Sequence, residues 1–253
     1  MRKEERSIFV VGDRLKNISS NPDVYTISGL KKLIKSSDDW ANTKKYIVHF
    51  GQGLSETKVK EVLNFVEICG MSDLIIFKDS KLQSKSSSRL THKCLSKNIM
   101  ISEPLKINDE TYHCDLMLED DCDEMNDHVT GVHIQGSVII EAARQMVLAV
   151  SEKYFISPDC KRKLNFVTHK IDTTFHQYIF PIPVVMKYQV SEMKMNRNNN
   201  FSSIVHISFI QNDSVTSEVF FKFSVLDAEY LSEQETSLAA LCIQSHFNKV
   251  LGV

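Results

Sequence analysis

The 253-residue chain has almost no net charge: 30 Lys and Arg against 32 Asp and Glu leave a formal −2. That balance gives no bulk electrostatic reason to expect a nucleic-acid partner. No apolar run approaches the roughly 20 residues of a membrane span, so no span is expected. The opening MRKEERSIFVVG has a charged head but lacks the long apolar region and small-residue cleavage site of an export signal. Among the six cysteines (Cys69, Cys94, Cys114, Cys122, Cys160 and Cys242) there is no CxxC pair and no regular spacing. They read as free thiols rather than a disulfide framework, and cytoplasmic residence is the expectation.

What is present is ordinary globular material, 42% hydrophobic and 25% charged, enough for one large domain or two modest ones. The first eighty residues alternate strand and helix signals. SIFVVG (7–12), VYTI (24–27), KYIVHF (45–50) and DLIIF (73–77) read as strands. A helix capped by Ser28 is expected over 30–34, and one capped by Ser55 over 57–69, stopped by Gly70. This pattern predicts a small α/β domain with a parallel sheet over residues 1–80.

Gly51-Gln52-Gly53, between strand and helix, invites a nucleotide reading with phosphate at the helix start. Glu56 stands where the dinucleotide fingerprint has its third glycine, so a plain β–α turn serving docking or oligomerisation is favoured. The serine-rich stretch around residues 81–89 reads as a linker.

From residue 90 the texture changes. Strand-like runs at 98–102, 111–118, 163–175, 184–193, 201–210 and 215–226 surround one apolar helix, GSVIIEAARQMVLAV. The last three runs, separated by Asn-rich turns, form a meander. This describes an α+β sheet wrapped around a helix, extending over 90–253. An amphipathic helix is expected over 232–247, with Ser232 and Glu235 as a capping box.

The long helix is apolar almost all round, with Glu141, Arg144 and Gln145 sharing one narrow face. A carboxylate there must be paired, hydrogen-bonded or functional. In the functional reading, burial raises the pKa of Glu141 so that it exchanges a proton with substrate, while Arg144 stabilises an enolate or binds a phosphate. In the bland one, the two form an internal i, i+3 ion pair. His128, in a glycine-containing loop upstream, suits proton transfer by its reference pKa, although a surface histidine is the simpler account. Gly136 offers backbone N–H groups at the helix start. The acidic run from Glu119 to His128, with His133 beyond, matches no compact zinc or calcium pattern and reads as a solvated loop.

The stretch HVTG…GSVIIEAARQM, with Thr91-His92-Lys93 upstream and NFVTHKIDTTFHQYIFP downstream, resembles the A-factor biosynthesis hotdog family. It is more distantly similar to the 3-hydroxyacyl-carrier-protein dehydratases. The resemblance covers Leu90 to Leu226. It implies a hotdog fold, and an enzyme that condenses a β-ketoacyl thioester with dihydroxyacetone phosphate on the way to γ-butyrolactone or butenolide signals or secondary metabolites. The dehydratase likeness implies instead loss of water from a 3-hydroxyacyl thioester, and a catalytically silent hotdog that binds acyl ligands or a partner is the third alternative.

The resemblance places His128 and Glu141 at the positions of the acting residues, and with Arg144, characteristic of the A-factor type, they are the expected catalytic residues. Gly136, through the N–H groups of the helix start, Gly131 and Gln145 are the expected substrate contacts. No metal and no resident cofactor are expected, and acyl carrier protein or coenzyme A would carry the thioester. The family's two hotdog repeats per chain are reduced here to one, which implies a homodimer or pairing with a second hotdog. Thr130 and Gln135 stand where the related motifs have proline, and VHIQG lengthens the loop beyond the A-factor pattern.

Overall fold

The computed structural model describes residues 5–36, 45–78, 84–126, 131–196 and 200–251. The first unit contains β1 (Glu5–Val11), a 3-10 segment (Asp13–Ser20), β2 (Val24–Thr26), α1 (Ile27–Ser36), β3 (Lys45–Phe50), α2 (Glu56–Ile68) and β4 (Ile75–Phe77). Its strands form a parallel sheet in the order β2-β1-β3-β4. Ile8, Val10, Tyr46, Val48 and Ile75 alternate onto one face and pack with Leu30, Val59, Val62 and Val66 of the two helices. Ser55 caps α2 by accepting from Lys58 N at 3.2 Å, and Gly70, at φ +67°, follows its end. At α1, by contrast, Thr26 Oγ1 accepts from Gly29 N at 3.0 Å, while Ser28 binds Asp13. The helix therefore starts earlier than the sequence suggested.

The second unit supplies α3 (Ser88–Thr91), β5 (Leu105–Lys106), β6 (Thr111–Asp115), α4 (Asp123–Asn126), α5 (Gly136–Val150) and a π-helical turn (Ser151–Phe155). Then follow β7 (Leu164–Phe175), β8 (Val185–Met195), β9 (Phe201–Gln211), β10 (Ser214–Asp227) and α6 (Ala228–Leu251). Six antiparallel strands run in the order β5-β6-β8-β9-β10-β7. Their inward residues, including Tyr112, Met186, Tyr188, Phe209, Phe221 and Phe223, enclose Val138, Ile139, Ala142, Met146 and Val150 of α5. This is the α+β hotdog arrangement, a curved antiparallel sheet around one long helix. The stretch 98–102, expected as a strand, makes only isolated bridges, Ile101 with Leu116 and Lys85 with Ser102.

The two units share packing and polar contacts. Val11, Leu15 and Val24 belong to the core that surrounds α5. Gln52 donates to Leu116 O at 2.9 Å and accepts from Leu118 N at 2.8 Å; Gly53 N donates to the Leu118 carbonyl at 2.9 Å. Gln52 N also reaches Pro181 O at 2.9 Å, so the FPIP loop contributes to the seam. Asp120 pairs with Lys58 on α2. The crevice at the carboxyl ends of β1 and β3, where open parallel sheets take ligands, is thus filled by the chain's own segment 116–120. The GQG turn here serves docking.

Three expectations change with this seam. Of the expected linker, Lys85 forms a largely buried ion pair with Glu119 at 2.6 Å and Ser86 donates its N–H to Ile101 O. The acidic stretch is only partly a solvated loop: Asp121, Asp123, Glu124 and Asn126 are exposed, but Asp120, Cys122 and Met125 are buried, and Arg14, Lys58, Lys85 and Lys97 reach its polar groups. The terminal helix begins at Ala228, where Asp227 Oδ1 accepts from Glu229 N and Tyr230 N. Ser232 does not start it. Leu238, Leu241, Ile243, Phe247 and Val250 are exposed, so α6 is not the one-sided helix anticipated.

Candidate functional site

α5 begins at Gly136, whose backbone lies close under the ring of Phe175. An added Cβ would lie 2.8 Å from Phe175 Cζ, at the end of β7. Gln135 precedes the helix in an extended conformation, and its side chain makes no capping bond. The first-turn N–H groups therefore keep no side-chain acceptor from this residue.

Beside them lies a cavity of about 270 Å³ walled by His133, Ile134, Gly136, Ile139, Phe175 and Tyr178, with Gln177, Ile179 and Ser217 completing the lining. Of the lining residues, Ser217 has a hydroxyl with no hydrogen-bond partner among the described residues, and so have both amide atoms of Gln135, which sits in the chain between the lining residues Ile134 and Gly136. Both residues are buried. An apolar cavity bordered by open donors suits a ligand with an aliphatic body and a carbonyl.

A bulge on β10 sets this geometry. The register shifts between Val215 and Ser217, leaving Thr216 unmatched; its Oγ1 donates to Phe209 O, and its carbonyl accepts from His176 N and Gln177 N. Ser217 then pairs across the strand with Phe175. Bulges commonly re-aim side chains in this way.

Glu141 occupies a different face. At about 100° per residue it projects roughly 160° from Ile139 around α5. Arg144 donates Nε to Oε2 at 2.7 Å and Nη2 to Oε1 at 2.8 Å. Lys93 Nζ lies 2.8 Å from Oε1, and Gln145 Nε2 donates to the same oxygen at 3.0 Å. Gln145, fully buried, also donates to Asn98 O and accepts from Met100 N, both at 2.9 Å. Burial by itself pushes the Glu141 carboxyl up. The bonds from Arg144, Lys93 and Gln145 and the charge of Arg144 outweigh it, holding the pKa at about 2 against an ordinary 4.5. This reverses the raised value expected from helix burial: Glu141 is a fixed anion that cannot donate a proton near neutrality.

Of the residues marked out by sequence, Gly136 lines the cavity, while Glu141, Arg144 and Gln145 form the charged cluster. Gly131 is exposed and is not among the lining residues. His128 lies outside the described residues. Lys93, in the motif Thr91-His92-Lys93, received no role from sequence, yet completes the cluster; its neighbour His92 instead meets Glu152 at 3.0 Å. Ser217 also escaped notice. Its signal was a small polar residue in the inward row Val219, Phe221, Phe223, Val225, all buried.

The family model described as the A-factor biosynthesis hotdog domain (AfsA) matches residues 78–227, more than half of the chain. The chain belongs to the A-factor biosynthesis hotdog family. No curated protein matches it significantly in sequence. A solved mutant thioesterase from Pseudomonas aeruginosa is 11% identical, with a TM-score of 0.38 over 50% of this chain and 81% of that one. A conserved protein from the same organism is 16% identical, with a TM-score of 0.40 over 56% and 100%. A Haemophilus influenzae thioesterase is 10% identical, with a TM-score of 0.39 over 57% and 93%. Among the described residues of this hotdog protein, no helix is long and apolar enough to cross a membrane.

Proposed function

We propose that this A-factor-type hotdog takes an acyl thioester into the cavity at the start of α5 and transfers its acyl group to a hydroxyl of a phosphorylated acceptor, forming an ester as the C–S bond breaks and the carrier thiol leaves with the hydroxyl proton. The observation that carries the reading is the apolar cavity beside the uncapped first turn, with Gln135 and Ser217 buried and unpartnered. The aliphatic chain lies along Ile134, Ile139 and Ile179, and the thioester carbonyl faces the N–H groups at Gly136. Within the family likeness, the donor is a β-ketoacyl thioester on acyl carrier protein or coenzyme A, and the acceptor is dihydroxyacetone phosphate. Lys93 and Arg144 are the cationic donors of the cluster and the groups that would meet a phosphate.

A 3-hydroxyacyl dehydratase would draw on Glu141 as a proton donor, which its low pKa disfavours. The saturation of Glu141 by three partners favours one other reading, a hotdog that binds acyl ligands without turnover. Mass spectrometry of the purified chain with 3-oxoacyl thioesters, with and without dihydroxyacetone phosphate, is expected to show a phosphate-dependent condensation product. Binding without product selects the silent form, and water loss from 3-hydroxyacyl thioesters would select the dehydratase.

In one chain the cavity and the charged cluster lie on opposite sides of α5, so the complete site in this reading lies between two hotdog copies. Support comes from β7, a twelve-residue strand paired only to β10 among the described residues. Its Ile171 is exposed, and its Phe175 walls the cavity. Uncovered edges of this length invite pairing. The wild type is expected to sediment as a dimer, and Ile171→Lys as a monomer. A monomeric wild type that still turns over thioester would refute the two-copy site.

A further inference from the structure

Ser217 has no structural reason to be polar. It stands at the head of the inward row of β10, where Val219, Phe221, Phe223 and Val225 are all buried apolar residues. Its backbone is already matched to Phe175 on one side and Phe209 on the other. Ser217 is among the residues that line the cavity, it is fully buried, and its hydroxyl has no partner among the described residues. A buried hydroxyl left unpaired costs free energy, and an alanine or valine would fill the row at no such cost.

We infer that Ser217 is a specificity-determining residue: its hydroxyl hydrogen-bonds an oxygen substituent carried on the acyl chain itself, distinct from the thioester carbonyl. This deepens the acyl-thioester reading and rests on it. The cavity offers two separate polar points on otherwise apolar walls. One is the backbone at the start of α5, at Gly136; the other is Ser217, the strand partner of Phe175, whose ring lies against the helix start. A saturated acyl chain satisfies only the first and leaves Ser217 dry and unpaired. An oxygenated chain satisfies both, with Ser217 donating to an oxo oxygen or exchanging bonds with a hydroxyl. Sites that hold such a group discriminate against analogues lacking it, because the protein's own polar atom is then stranded.

The test uses the full chain and thioether analogues of hexanoyl-, 3-oxohexanoyl- and 3-hydroxyhexanoyl-pantetheine, which bind but cannot react. Calorimetry of the wild type is expected to show the oxygenated analogues binding about ten-fold more tightly than the saturated one. Ser217→Ala should erase that preference, so that the three analogues bind within about two-fold of one another, and Ser217→Thr should retain it. Equal wild-type affinity for all three analogues overturns the role of Ser217 and leaves the acyl site standing. A preference that survives in Ser217→Ala does the same. If no analogue binds the wild type, the acyl-thioester reading falls and this inference with it. The wild-type comparison decides even where a variant folds poorly.

Discussion

Glu141→Ala is expected to lower stability by about 3 kcal/mol, the scale for removing one member of a buried ion cluster. The carboxylate accepts from Arg144, Lys93 and Gln145, and its side chain is only 15% exposed. Without it, Lys93 and Arg144 face each other unneutralised. For a chain this long the loss corresponds to a fall in Tm of roughly 6–12 °C by scanning calorimetry. Arg144→Ala should cost less, since that side chain is 36% exposed and Lys93 and Gln145 still satisfy the carboxylate.

The same cluster fixes a pH dependence. The folded pKa of Glu141 is depressed, so its contribution is complete above the ordinary value of 4.5 and is lost as pH falls through about 2. That span corresponds to about 3 kcal/mol. Urea unfolding between pH 6 and pH 2.5 should therefore find the wild type losing its advantage over Glu141→Ala as the medium becomes acid. An advantage that does not shrink would mean the carboxylate is not held by its neighbours.

Gly12→Val is the second large effect. A Cβ at Gly12 would overlap the carbonyl oxygen of Gly53 and lie 2.9 Å from Asp120 Oδ2. Gly53, at φ +84°, is itself held in place by its bond to Leu118 O, so the obstruction is backbone and cannot swing away. The substitution should cost about 3 kcal/mol, the upper end for overpacking. It should also raise amide exchange in residues 116–120 far more than within α5. Unchanged exchange there would show that the seam is not held by this contact.

The elements whose patterning is local were legible from sequence. KYIVHF became β3 with the same bounds, and the apolar run from Gly136 to Val150 became α5 with the expected polar face. The state of that face was not legible. Lys93 is 48 positions from Glu141, and nothing in the helix reveals that a third group arrives to keep the carboxylate ionised. The cavity likewise depends on pairing Phe175 with Ser217 across forty-two positions, and on a one-residue bulge that periodicity does not show. Gly51-Gln52-Gly53 read as a plain β–α turn, and nothing local to it shows that Leu116–Asp120 of the same chain packs into the crevice beside it. At α6, propensity placed the start at Ser232, whereas the cap is Asp227, the final residue of β10.

The filled crevice bears on how the molecule is made. Its parallel sheet ends at Phe77, but the segment that closes the gap between β1 and β3 lies some forty residues downstream. At roughly 5–20 residues per second of synthesis, the nascent sheet waits a few seconds with Gly12, Gln52 and Gly53 uncovered. A fragment ending near residue 78 would keep that wait indefinitely. The unit translated ahead of the hotdog is finished only once part of the hotdog has been made, and it is completed from within by that domain.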